Sequence, residues 1–255
     1  MRILLLANNW VGWQVADWLL KKNENLVGAV LHPPERQRYG NELTALMAGH
    51  AVPVFFGSQL QSSDVIGTLG ELDADLAVSI YFGYILKPSF ISLFTKGVIN
   101  LHPALLPYNK GAHPNVWSIV ERTPAGVTLH YIDSGVDTGD ILAQAPVAVE
   151  PIDTAKTLYH KLERASLKLF QSAWPSIKAD KTVRTSQSKD VGTHHRTKDL
   201  EGLDCIDLEH LYTARELIDQ LRARTFPPYP GAYFVVDGRK VHIRLALSYS
   251  EEANT

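Results

Sequence analysis

The chain has a single cysteine, Cys205, so an internal disulfide is excluded and stability must come from a packed core. That thiol lies between polar segments, in Gly202-Leu203-Asp204-Cys205-Ile206-Asp207, and reads as a packing or incidental residue and not a nucleophile. No apolar run reaches membrane-spanning length, and Ile3 to Ala7 is too short a run for a signal peptide. A soluble, cytoplasmic protein with no membrane partner is expected. Dense runs of one charge are also missing: 25 Lys and Arg against 27 Asp and Glu leave a formal net charge of -2, giving a nucleic-acid partner little electrostatic support. Five histidines, His102, His113, His130, His194 and His195, are candidates for a metal. They include no His-x-x-x-His pair, there is no cysteine pair, and the serine elbow Gly-x-Ser-x-Gly does not occur. No metal and no serine-nucleophile chemistry are therefore expected.

What is present is room for a full core: 255 residues, 45% hydrophobic, enough for one domain plus an appendage. Short apolar runs alternate with helix-period segments through the first half, the pattern of a parallel α/β sheet. Strands are expected at Ile3 to Ala7, Leu26 to Leu31, Val52 to Phe56, Ala77 to Ile80 and Val98 to Leu101. Val127 to Ile132 alternates more weakly, and Ile141 to Val149 suits an edge or antiparallel strand. Helices are expected after Trp10, from Glu42 to Ala48, and after Asp153 as cap, the last burying Ala155, Leu158, Leu162, Ala165 and Leu169. The first strand leads into Asn8-Asn9-Trp10 with only Gly12 behind it, not Gly-x-Gly-x-x-Gly, so the α/β layout does not imply NAD.

Asp180 to Asp199 is polar and without period, and reads as a linker. Beyond it Ala214, Leu217, Ile218 and Leu221 mark an amphipathic helix, and Asp237-Gly238 between two alternating runs signals a two-residue hairpin. Such a tail is too small to fold alone and must dock on the main domain or on a second subunit.

Chemistry concentrates around Asn100-Leu101-His102-Pro103-Ala104-Leu105-Leu106-Pro107 and Asp133-Ser134-Gly135-Val136-Asp137-Thr138-Gly139-Asp140. The first segment ends a strand where prolines forbid its continuation, and Asn100 and His102, two apart, project to one side. An amide donor, an imidazole and the carboxylate of Asp137 suit acyl transfer.

The Asn-x-His-Pro-x-Leu-Leu-Pro segment, Gly111 and Asp-x-Gly-x-Asp-Thr-Gly-Asp resemble the 10-formyltetrahydrofolate-dependent formyltransferases, and most of all those that formylate an amino group on a nucleotide-linked sugar. The likeness runs from about Met1 to Leu247. It implies a Rossmann-like, mostly parallel sheet flanked by helices, a catalytic domain over 1–180, and a linker with a small helix and β-hairpin subdomain over 181–255. It further implies 10-formyltetrahydrofolate as cosubstrate, a dTDP- or UDP-linked amino-deoxysugar as partner (4-amino in preference to 3-amino), a role in surface polysaccharide (O-antigen) synthesis, and a homodimer.

By the same resemblance Asn100 donates its amide to the oxyanion and His102 moves the proton. Asp137 either orients and charge-stabilises His102 or accepts the amine's proton through water. Its charge would raise the pKa of His102 and burial would lower it, and the sequence leaves the winner open. The pterin is expected against Tyr81, Phe82, Gly83, Tyr84, Ile85 and Leu86, with Asp133, Gly135 and Asp140 completing the folate site. For the sugar nucleotide the candidates are Asn9, Trp10, Lys110, His113 and Asn115, with Arg224 for a pyrophosphate and Phe226 or Tyr229 for the base. Ala104 departs from many relatives, where a serine often follows the His-Pro pair. Competing readings are a folate hydrolase, a formyltransferase for another small amine, and a non-catalytic binding module. Glycinamide ribonucleotide enzymes ordinarily lack the tail, and methionyl-tRNA enzymes carry a larger, basic one.

Overall fold

A computed structural model describes residues 1–188 and 190–250. In chain order the strands are β1 (Arg2–Ala7), β2 (Asn25–Leu31), β3 (Val54–Phe56), β4 (Leu76–Ile80), β5 (Val98–His102), β6 (Lys110–Gly111), β7 (Gly126–Tyr131), β8 (Ile141–Pro146), β9 (His194–His195), β10 (Ala232–Val236) and β11 (Arg239–Ile243). The helices are α1 (Asn9–Lys21), α2 (Gly40–Gly49), α3 (Ser63–Glu71), α4 (Pro88–Ile91), α5 (Pro114–Val120), α6 (Ala155–Lys178), α7 (Glu201–Asp204) and α8 (Ala214–Ala223). Seven strands form one sheet in the order β3-β2-β1-β4-β5-β7-β8. Its first five strands are parallel, whereas β7 and β8 run antiparallel to their neighbours. The mostly parallel α/β architecture expected from the sequence is the one observed.

The run Ile3 to Ala7 is wholly apolar because both faces of β1 are covered. Ile3, Leu5 and Ala7 face Val11, Val15 and Leu19 of α1 together with Leu158, Leu162 and Phe170 of α6. Leu4 and Leu6 point the other way, into a second core with Leu69, Phe82, Phe90 and Phe94. The long helix α6 starts one residue later than expected. Thr154 is its cap, accepting the Thr157 N–H, whereas the Asp153 carboxylate is buried and accepts from the Glu150 N–H, the Thr157 hydroxyl and Lys161. Helix α3 gave little sequence signal, since Gly67 and Gly70 each cost about 1 kcal/mol relative to alanine in a helix.

The hairpin forms around Asp237 and Gly238, both at positive φ (49° and 72°), which is the type I′ geometry that matches strand twist. The tail has its own small core of Ile206, Leu221 and Ala232. It docks on the main domain: Arg222, almost wholly buried, pairs with Asp219 at 2.7 Å and donates to the Glu150 and Asp153 carbonyls. Leu208, Leu211 and Ile218 remain exposed on the appendage, at 57%, 94% and 45%; Ile218, expected in the buried stripe of α8, is thus outside it.

The polar segment after α6 is not a free linker. Thr185 and Ile141 exchange both backbone hydrogen bonds, and β9 pairs with β6. The segment therefore straps back across the sheet's antiparallel edge. Its lack of period follows from pinning by backbone groups, which leave no side-chain pattern.

Candidate active site

Asn100 and His102 lie on β5, and the antiparallel register sets His130 of β7 directly opposite Asn100. The loop from Asp133 to Asp140 folds over this face. It is shaped locally by the Asp133 carboxylate, which accepts from the Gly135 N–H at 3.0 Å and the Thr138 hydroxyl at 2.6 Å. Asp137 comes to rest with Oδ2 3.6 Å from His102 Nδ1 and Oδ1 3.5 Å from His130 Nε2. The Gly111 N–H donates to Asp137 Oδ2 at 2.8 Å. Structure thus brings Asn100, His102 and Asp137 together and adds His130.

Hydrogen-bond partners fix the tautomers. The Asn109 carbonyl, 3.1 Å from His102 Nε2, can only accept, so Nε2 carries a hydrogen and Nδ1 is the nitrogen left for proton exchange. The Tyr131 carbonyl, 2.8 Å from His130 Nδ1, likewise requires a hydrogen there. His130 Nε2 then accepts one amide hydrogen of Asn100 at 3.1 Å, leaving the second for another acceptor. Asn109 is itself fully buried and held by Ser118, Thr123 and Thr193.

Burial decides what the sequence left open. Loss of solvent is the largest influence on His102 and lowers its pKa from the ordinary 6.5; the Asp137 charge opposes this without overcoming it, and His130 adds to the lowering. For Asp137, burial acts upward, but the charges of His102 and His130 and the Gly111 N–H hold its carboxyl well below the usual carboxylate range. The resting pair is an ionised Asp137 beside a neutral His102.

Two clefts lie elsewhere on the surface, and neither is lined by Asn100, His102 or Asp137. One, about 480 Å³, runs between Ile91, Phe94 and Ile132 and the loop residues Asp133, Thr138, Gly139 and Asp140. Gly139 is needed there, since a Cβ would lie 2.0 Å from the Tyr131 carbonyl oxygen. The segment Tyr81 to Leu86 does not line this cleft: Phe82 and Leu86 are core residues, the Tyr81 hydroxyl bonds Ser166, and Ile85, 81% exposed, stands out alone. Gly83 and Tyr84 continue this turn, Gly83 at φ 71°.

The other cleft, about 420 Å³, gathers Asn9, Trp10 and Phe226 with Arg38, Tyr39, Lys156, Tyr159, His160, Glu163 and Arg164. Tyr229 reaches its edge by accepting from Arg38 at 2.7 Å. The α6 contribution escaped sequence reading, although 156, 159, 160, 163 and 164 follow helical spacing and form one polar stripe. The Asn9 side chain is already engaged by Tyr159 and the Trp10 N–H. Of the remaining candidates, Lys110 sits beside Gly111 on β6, and His113 is exposed at the start of α5. Two are committed elsewhere: Asn115 is buried and donates to the Ala155 carbonyl at 3.0 Å, and Arg224 pairs with Asp204 at 2.5 Å. Among the described residues no group of three or more His, Cys, Asp or Glu is arranged to hold a metal ion, and no helix is long and apolar enough to cross a membrane.

Known proteins resemble this chain in sequence and in fold. A formyl transferase family model matches residues 13–173, and a model of the N-formyltransferase dimerization C-terminal domain matches residues 199–249. The chain is 29% identical to methionyl-tRNA formyltransferase of Geobacter metallireducens, over 88% of this chain and 73% of that protein. The structure of a 4-N formyltransferase from Francisella tularensis superposes with a TM-score of 0.81 at 27% identity, covering 98% of both chains. That of the formyltransferase PseJ from Anoxybacillus kamchatkensis, in complex with UDP-4,6-dideoxy-4-formamido-L-AltNAc and tetrahydrofolate, is 30% identical with a TM-score of 0.59, covering 88% of this chain and 98% of that one. Because the first of these models spans well over half of the 255 residues, the protein belongs to the formyl transferase family and is a formyltransferase.

Proposed function

We propose that the protein transfers the formyl group of 10-formyltetrahydrofolate to the amine of a dTDP- or UDP-linked amino-deoxysugar, a 4-amino sugar before a 3-amino one, for surface polysaccharide synthesis. The observation that carries this reading is the buried His102 whose Nδ1 alone is open to proton exchange, set between the Asn100 amide and ionised Asp137. The amine attacks the formyl carbon, and the second Asn100 N–H holds the oxyanion. The amine's proton passes to His102 Nδ1, where Asp137 stabilises the imidazolium, and then to folate N10 as the C–N10 bond breaks. His130 keeps the Asn100 amide turned toward the site.

The apolar walls and backbone edges of the cleft along Asp133 to Asp140 suit a flat pterin. Arg38, Lys156 and Arg164 among aromatic rings in the second cleft suit a nucleoside diphosphate. The 4-N enzyme from Francisella and PseJ with its UDP-linked 4-formamido sugar support a 4-amino acceptor. A formal charge of -2 weighs against tRNA. The catalytic unit is residues 1–180, and the appendage, with Leu208 and Leu211 exposed, joins two copies into a homodimer.

Purified dimer, verified by light scattering, is expected to consume 10-formyltetrahydrofolate only when an amino-sugar nucleotide is supplied. A panel of dTDP- and UDP-linked 3-amino and 4-amino sugars, with methionyl-tRNA as a further acceptor, identifies the substrate. Equal consumption without any amine would point to hydrolysis and sink this reading.

A pH dependence follows from the lowered pKa of His102. Its neutral form persists as pH falls through 6.5, so the acid limb of kcat, measured with the amine saturating so that its own ionisation drops out, should lie below pH 6.5. Asp137→Asn removes the influence that raises this pKa, so the limb should move further toward acid. A limb at or above 6.5 contradicts the assignment of His102 as the proton acceptor.

A further inference from the structure

We propose that Gln187, in the strap between the sheet domain and the appendage, is a positioning residue that holds Asp137 in its working geometry. Its amide nitrogen donates to the Asp137 carbonyl at 2.9 Å and to the Gly139 carbonyl at 2.8 Å. Carbonyls only accept, so this pair of partners fixes which way the amide faces. From Val183 to Ser188 every other residue is exposed, and Gln187 alone turns inward.

Asp137 needs such a clamp. Its φ is 54°, in the left-handed region, which aspartate enters more readily than most residues but at a conformational cost that the surroundings must offset. The Gly111 N–H fixes the carboxylate end, and Gln187 fixes the backbone end. Gln187 does not itself hold the strap in place. On one side Thr185 is anchored by the two backbone bonds to Ile141, and on the other Asn109 and Lys110 donate to Thr193 while β9 pairs with β6. The Gln187 amide oxygen is buried without a partner among the described residues, an arrangement that serves the bonds made by the nitrogen.

The inference deepens the formyl-transfer reading and rests on it only for the turnover measurement; a substrate-free readout separates the two. The titratable groups facing His102 are Asp137, from the clamped loop, and His130, from β7. Gln187→Met keeps the side chain's length and removes both donors. The expected result is a 10- to 100-fold lower kcat, as for about 1 Å of misplacement at a reacting centre, with both KM values near wild type and the chain still folded, melting only a few degrees lower for the two carbonyls left without a donor. In the same variant without substrates, histidine NMR should show His102 titrating lower than in wild type, because the carboxylate has drawn away.

Unchanged kcat and unchanged His102 titration overturn the proposal. So does a variant that fails to fold, since the amide would then serve the fold and not the site. If no acceptor is turned over by the wild type but the His102 titration still moves, the acceptor reading fails while the clamp stands.

Discussion

His102→Ala should lower kcat about 1000-fold, within the 10²–10⁴ range that a positioned acid–base group contributes, while the chain stays folded. The size of the effect follows from the site having no second open nitrogen. His130 commits Nδ1 to the Tyr131 carbonyl and Nε2 to Asn100, so no neighbouring imidazole takes over the proton. The fold survives because the local cost is limited. Truncation leaves the Asn109 carbonyl without its donor and opens a small cavity, together about 2–4 kcal/mol against the 5–15 kcal/mol by which domains are ordinarily stable. Saturating-substrate turnover and a melting curve on the same preparation check both halves. Activity within a few-fold of wild type would mean that the proton takes a route avoiding Nδ1.

Gly111→Ala should be damaging in both stability and turnover. Gly111 has φ 85°, where a Cβ costs about 1–2 kcal/mol from conformation alone. The added Cβ would also lie 2.3 Å from the His195 carbonyl oxygen, a backbone atom that accepts from the Ala112 N–H and cannot simply swing aside. The β6–β9 pairing must therefore open. The N–H that donates to Asp137 Oδ2 moves with it, releasing the carboxylate from one of its two fixed ends. A loss of roughly 2–4 kcal/mol is expected, lowering the melting temperature by about 5–15 °C for a chain of this size. Turnover should fall about 100-fold. Gly67→Ala is the matched control: in α3 nothing lies within 4 Å of the new Cβ, and a gain of about 0.5–1 kcal/mol is expected. A Gly111→Ala protein as stable and active as wild type would show that the strap is not tightly seated.

Much of this arrangement was legible from local pattern. The alternation that placed Asn100 and His102 on one side of a strand end, the all-apolar run of β1 and the Asp-Gly turn of the hairpin each depend on residues only a few positions apart. What escaped depends on partners far along the chain. His130 was one of several histidines until antiparallel pairing set it opposite Asn100, 30 residues away. Gln187 lay in a stretch read as linker, and its role appears only when that stretch returns across Asp137, 50 residues earlier. Asn115 and Arg224 looked available for ligand, yet Ala155 and Asp204, invisible as neighbours in sequence, already engage them.

The sequence by itself determined the layered α/β order and the residue types for acyl transfer, because hydrophobic period and proline placement are properties of adjacent residues, while its motifs carried the resemblance to the family. Tertiary structure alone decided how those residues stand ready. Enclosure of His102 outweighs the Asp137 charge and leaves the ring neutral, the Asn109 carbonyl selects Nδ1 as its working nitrogen, and Gly111 and Gln187 hold Asp137 from two sides. Solvent exclusion and hydrogen-bond geometry are set by groups that meet only after the chain has folded, so the proton's path through this site could not be read before the fold was known.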